Sequence, residues 1–141
     1  MQRRQDIHTG VDLYAPEGMS VRSVEEGVVV AVERFTGEAA ESPWWEETDA
    51  VLVEGPSGVV CYGEVWPKVD VGWRVPPGAR VGVVRRVLKP GKPNGSMLHL
   101  ELYRPGTRQT VWWRGGERPP GLLDPTERLL AALEVERGLA R

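Results

Sequence analysis

The chain reads as an all-β domain, an antiparallel sandwich or barrel-like sheet carrying one C-terminal α-helix. Three observations predict this class. Glycine (17) and proline (12) are spread along the whole length, the runs between them are short and rich in valine, and only one stretch has helical spacing.

The first long run, Met19 to Val32 (MSVRSVEEGVVVAV), puts Val21 near an edge. The chain then turns at Glu25-Glu26-Gly27 and enters the core through the continuous apolar run Val28, Val29 and Val30. Asp49 to Val53 (DAVLV) and Gly58 to Val65 (GVVCYGEV) flank Glu54-Gly55-Pro56-Ser57, a polar turn of hairpin length. Between Val69 and Val84 the pattern V-x-x-G-x-x-V-x-x-G-x-x-V predicts tight corners at Gly72 and Gly78. Met97 to Tyr103 alternates, with Leu98, Leu100 and Leu102 on one face and Met97, His99, Glu101 and Tyr103 on the polar one. Finally Asp124 is a good N-cap, Pro125 a good first helical residue, and Leu129, Leu130 and Leu133 follow at helical spacing, so a helix is expected over about Pro125 to Arg137. The acidic segment Gly37 to Thr48 carries Trp44-Trp45, which either cover the edge of the core or act as a lid over a ligand. No repeat or linker divides the chain, so residues 1–141 are expected to form one domain.

A formal charge of −2, from 18 basic and 20 acidic side chains, gives no reason to seek a polyanion, and nucleic acid is disfavoured as a partner. Cys61 is the single cysteine, so no internal disulfide can form and a reducing compartment suits the chain. Read from Met1, the start MQRRQDIHTGVDLYAPEG contains no apolar signal-like core, and no stretch approaches the roughly 18 apolar residues of a membrane span. The chain as given is therefore expected to be cytoplasmic, with no membrane partner.

The two histidines sit in unlike settings. In His8-Thr9-Gly10-Val11-Asp12 a straight strand, at about 3.3 Å per residue, would hold the imidazole and carboxylate roughly 13 Å apart, too far to share a metal. Gly10 is the residue that tolerates a bulge or a left-handed kink, which brings the two together. His99 lies mid-strand in Met97 to Tyr103. Two imidazoles and one carboxylate are good zinc donors and leave a coordination position for water. From the residues alone this is a weak metal signal, and the plainer reading is two partly buried, hydrogen-bonded histidines.

His8 to Val30 (HTGVDLYAPEGMSVRSVEEGVVV) resembles the H-x-G-x-D, A-P-x-G, strand and D/E-G-x-V succession of the lysostaphin/LytM-type zinc endopeptidases. Val60 to Val65 is similar to that family's Tyr-x-His-Leu strand, Val69 to Val75 to its V-x-x-G-x-x-V turn, and Gly78 to Gly82 to the G-x-x-x-G that follows. Met97 to Leu102 (MLHLEL) resembles His-x-His-Phe-Glu-Leu, and Leu123-Asp124-Pro125 the Asn-Pro helix start. The likeness spans about residues 7–130.

It implies the duplicated hybrid motif fold and one zinc ion held by His8, Asp12 and His99. It also implies a peptide or peptidoglycan-like substrate. Two positions depart: the family's two auxiliary histidines are replaced by Glu64 and Met97. A thioether cannot move a proton, so Met97 contributes packing only. Glu64 has three roles open to it: general base toward zinc-bound water, fourth metal ligand, or partner in a salt bridge. Glu101, two residues beyond His99, either orients that imidazole as an outer partner or pairs with an arginine. Tyr14, Tyr62 and Tyr103 are phenols that either donate to an oxyanion or simply pack.

Two functions from different classes follow from the resemblance. One is a zinc hydrolase with Glu64 as base; the other is an inactive pseudoenzyme that binds a peptide, glycan or protein. A weaker third likeness, to the glucose-type IIA phosphocarriers, needs a second facing histidine and matches A-P-x-G less well. Cytoplasmic placement would also leave mature cell wall out of reach.

Overall fold

The computed structural model describes residues 11–37, 46–86, 97–110 and 122–123. Through them run β1 (Val11–Tyr14), β2 (Ser20–Arg22), β3 (Gly27–Thr36), β4 (Thr48–Gly55), β5 (Gly58–Pro67), β6 (Arg74–Val75), β7 (Arg80–Val84), β8 (Met97–Tyr103) and β9 (Leu122–Leu123). All pair antiparallel in one curled sheet of order β1-β8-β5-β4-β3-β6, with β7 on β5 and β2, and β9 on β8. The all-β, antiparallel expectation holds. The expected C-terminal helix and the Trp44-Trp45 segment lie outside the described residues, among which no helix is long and apolar enough to cross a membrane.

The hairpin is tighter than its sequence pattern predicts. Strands β4 and β5 continue to Gly55 and from Gly58, so Pro56-Ser57 alone makes the turn where four residues were expected. The extra pairing is held by Glu25, whose carboxylate accepts from the Ser57 amide at 2.9 Å and the Ser57 hydroxyl at 2.6 Å. Gly72 and Gly78 do turn the corners, with φ of 94° and 79°, values that L-residues with a Cβ rarely adopt.

Strand β5 is buried on both faces from Gly58 to Val65, which explains why its sequence, GVVCYGEV, is apolar almost throughout. One face contributes Val60, Tyr62 and Val65 to a core with Val21, Val29, Val51, Val53, Val81, Leu100 and Leu102. The other contributes Val59 and Cys61 to a second cluster with Phe35, Ala50, Leu52 and Tyr103.

In the larger core, the wholly buried Tyr62 accepts a hydrogen bond from the Val24 amide at 2.9 Å and lies 3.4 Å from the Ser23 hydroxyl, pinning the β2–β3 connection. Burial pushes its phenol up to about 12. A folded-state value above the unfolded one near 10 means that this stabilisation is complete below about pH 10 and is lost as pH rises through about 12. Alkaline unfolding should therefore lose about 3 kcal/mol across that window, and Tyr62→Phe should remove that portion of the pH dependence while costing about 1 kcal/mol at neutral pH from the orphaned Val24 amide. Urea titrations of both proteins from pH 8 to 12 check this.

Candidate functional site

The site is built where β1, β8 and β5 lie side by side. Asp12 of β1 is the register partner of His99 of β8, and His99 is in turn the partner of Gly63 of β5. Residues directly opposite in an antiparallel pair share a face, so the register puts Asp12, His99 and Gly63 in one row across three strands. Met97 is the register partner of Tyr14.

The row depends on a missing side chain. A Cβ at Gly63 would stand 2.6 Å from the Phe35 ring, and that ring lies against His99 with centroids 5.4 Å apart and planes tilted by 43°. Phe35 thus fills the space over Gly63 and covers one flank of the imidazole. His99 is 5 % exposed, so the face of β8 that reads as polar in sequence is in fact interior.

A polar chain crosses this interior. His99 Nε2 lies 2.8 Å from Glu101 Oε1, and the Tyr103 hydroxyl donates to Glu101 Oε2. Glu101 and Tyr103 are completely buried. Cys61, also buried, is the register partner of Glu101. A buried carboxylate is tolerated only when its oxygens are satisfied, and here imidazole and phenol each take one.

Glu64 follows Gly63 and is the residue most distorted by the fold. Its φ of 63° makes it the sole non-glycine with positive φ among the described residues. The cause is a bulge: Val51 pairs with Tyr62 and Asp49 with Val65, so Gly63 and Glu64 together oppose Ala50. At that point β5 leaves β8, its neighbour through Gly63, and takes β7, its neighbour from Val65 onward. The Glu64 carbonyl accepts from the Arg85 amide at 3.0 Å, closing the gap between the two pairings. Glu64 is 8 % exposed.

Past the bulge the surface turns charged. Arg34 pairs with Asp49 at 3.3 Å and Arg85 stacks over the exposed Trp66 ring at 4.8 Å. Burial holds the Asp49 carboxyl above its ordinary value, against the pull of Arg34 and Arg85.

Of the residues expected to hold a metal, the structure brings Asp12 and His99 to paired positions; His8, with Gly10, lies outside the described residues. Among the described residues no three His, Cys, Asp or Glu side chains are grouped to hold a metal. Sequence reasoning missed Phe35 and the Gly63 gap it fills, for which no local pattern exists. It also missed the Glu101–Tyr103 bond, which the 99, 101, 103 alternation does signal.

No family model and no curated protein matches the chain. Among solved structures it is similar to the catalytic domain, in a point-mutant form, of the prophage-encoded M23 protein EnpA from Enterococcus faecalis. The identity is 20 %, the match covers 88 % of this chain and 80 % of that one, and the TM-score is 0.57. That likeness is one of fold: the curled antiparallel sheet is of the M23, LytM-type kind.

Two substitutions test the local architecture. Gly63→Ala should cost about 1–3 kcal/mol in urea unfolding by driving a methyl into the Phe35 ring, and Phe35→Leu in the same chain should recover part of it. Glu64→Gly should leave stability unchanged or raise it by up to about 1 kcal/mol, because the left-handed conformation costs a side-chain-bearing residue about 1–2 kcal/mol. A loss above about 2 kcal/mol would mean that the Glu64 side chain itself holds the bulge.

Proposed function

We propose that this chain is a LytM-type zinc-dependent peptide hydrolase in which His8, Asp12 and His99 hold the metal and Glu64 takes the proton from the attacking water. The donor set has the chemistry for it, since imidazoles and a carboxylate are zinc donors, and the register pairing of Asp12 with His99 supports the reading. When bound, zinc would polarise the scissile carbonyl and acidify a water. The protein's own part is positional: Glu101 orients His99, the Phe35 ring shields it, and Glu64 stands at the bulge as acceptor.

One observation carries the reading. Glu64 is buried and held in an unfavourable backbone conformation one residue beyond the partner of His99, and strain of that kind persists where a side chain must be aimed. The M23-type fold supports it.

Purified without added metal, wild type should contain about one equivalent of zinc and His99→Ala close to none. On glycine-rich and D-amino-acid-containing peptides, Glu64→Gln should retain zinc and lose turnover by about 100-fold or more. Loss of zinc together with turnover in Glu64→Gln would instead make Glu64 a ligand. A second reading, a binding module for peptide or glycan, is favoured by Glu64 and Met97 standing where the resembled family has its auxiliary histidines. Peptide binding without turnover by zinc-loaded wild type would establish it.

A further inference from the structure

We propose that Trp66, Arg85 and Lys68 form a receptor for a carboxylate, and that the peptide this chain hydrolyses carries such a group about three residues from the bond cleaved. The inference deepens the hydrolase reading by naming its substrate class, and rests on that reading for the place of the cleaved bond.

The bulge decides where these side chains point. In β5, Val60, Tyr62 and Val65 enter the larger core, while Val59 and Cys61 enter the second cluster, whose Phe35 fills the space over Gly63. The extra residue at Gly63-Glu64 shifts the alternation by one, so Trp66 and Lys68 emerge on the side of Gly63 and His99 instead of entering the larger core. Pairing continues past β5, since the Lys68 amide donates to the Val81 carbonyl at 2.9 Å. Three steps at about 3.3 Å put Trp66 roughly 10 Å along the strand from Gly63, the length of three residues of an extended peptide.

The patch is open and positively charged. Trp66 is 56 % exposed, Lys68 is exposed and Arg85 is half-buried. Arg85 lies over the indole at 4.8 Å and Lys68 at 5.7 Å, so two cations converge on one ring. Neither forms an ion pair with a carboxylate among the described residues. Arg34, on the other side of the bulge, is held by Asp49 at 3.3 Å and Glu47 at 3.6 Å; Asp49 also feels the charge of Arg85 without pairing with it. A guanidinium and an ammonium beside an exposed indole match a carboxylate on a short apolar stem, the cations taking the oxygens and the ring covering the stem. Two cations suit one carboxylate and not a polyanion, in keeping with the chain's net charge of −2. The Arg85 amide, bonded to the Glu64 carbonyl at 3.0 Å, ties this receptor to the bulge.

The test uses the metal-free full-length protein and follows the Trp66 indole N–H in NMR titrations, the resonance being assigned by its loss in Trp66→Phe. An acetylated, amidated hexapeptide of four glycines flanked by glutamates should bind about 10-fold more tightly than its glutamine counterpart at low ionic strength, and acetylated hexaglycine more tightly as the free acid than as the amide. Preference for the glutamate peptide alone assigns the carboxylate to a side chain, and preference for the free acid alone assigns it to a chain end. The glutamate preference should fall about 3-fold in Lys68→Gln, to near unity in Lys68→Gln/Arg85→Gln, and towards unity in about 1 M salt, where exposed charges are screened.

Equal binding of acidic and neutral peptides, a preference untouched by both substitutions and by salt, or shifts confined to other indoles would overturn the inference. Should the double variant fail to fold, Lys68→Gln and the salt dependence decide. Zinc-loaded wild type separates the two readings. Acidic preference in binding with no turnover of any peptide would sink the hydrolase reading and leave the carboxylate receptor standing; turnover with equal binding and equal kcat/KM for acidic and neutral peptides would do the reverse.

Discussion

The structure turns on a single strand that cannot end where its partner does. Strand β5 is covered on both faces and pairs first with β8, then with β7, so the sheet must change direction in the middle of its most buried element. An unbroken ladder cannot do this. The bulge at Gly63-Glu64 supplies the extra residue that rotates the strand from one neighbour to the next, and the Arg85 amide bonded to the Glu64 carbonyl keeps the interrupted backbone satisfied. The two glycine-like requirements of the bulge are met unequally. Gly63 is a true glycine because Phe35 occupies its side-chain space, whereas Glu64 adopts a glycine-favoured conformation without being one.

That inequality separates folding from function. Glycine at position 64 would make the same turn at lower conformational cost, so the fold alone does not call for glutamate there. The same logic applies to Glu101. A buried, hydrogen-bonded carboxylate contributes little net stability over an apolar side chain of similar size, since desolvation cancels most of its attraction. What His99, Glu101 and Tyr103 provide that leucines would not is directionality, a fixed plane and a fixed donor pattern in a place water does not reach.

Much of this was legible in the sequence. Val-rich runs cut by Gly and Pro located most of the strands, and V-x-x-G-x-x-V placed both corners, because glycine at positive φ leaves a local signature. The alternation of Met97 to Tyr103 separated the face of Leu100 and Leu102 from that of His99, Glu101 and Tyr103. It could not say that the second face is interior, since burial there is imposed by Phe35, Ala50 and Leu52 from β3 and β4, far away in the chain. The bulge was hidden for a related reason. It arises from the mismatch between two neighbours of β5, a property of register that no window on Gly63-Glu64 contains. The hairpin turn was overestimated because Glu54 and Gly55 are polar or small yet stay in the ladder, with Glu25 reaching across to hold Ser57.

Two opposing requirements explain why these features coincide. A residue meant to act on a bond must be held rigidly, and rigidity in a protein comes from packing; yet the polar groups that do chemistry are the ones packing penalises. Placing His99 and Gly63 on β8 and β5, each with strands on both sides, resolves the conflict, because apolar clusters on both faces of β5 supply far more burial than one strained residue and one internal carboxylate consume. An imidazole open to solvent would have had water in place of Phe35 and Glu101, and water fixes neither the plane of a ring nor its hydrogen-bond partner. The interior position of His99 is therefore a condition for its imidazole to keep one orientation against Phe35 and Glu101, and the double core of β5 is what sustains that position.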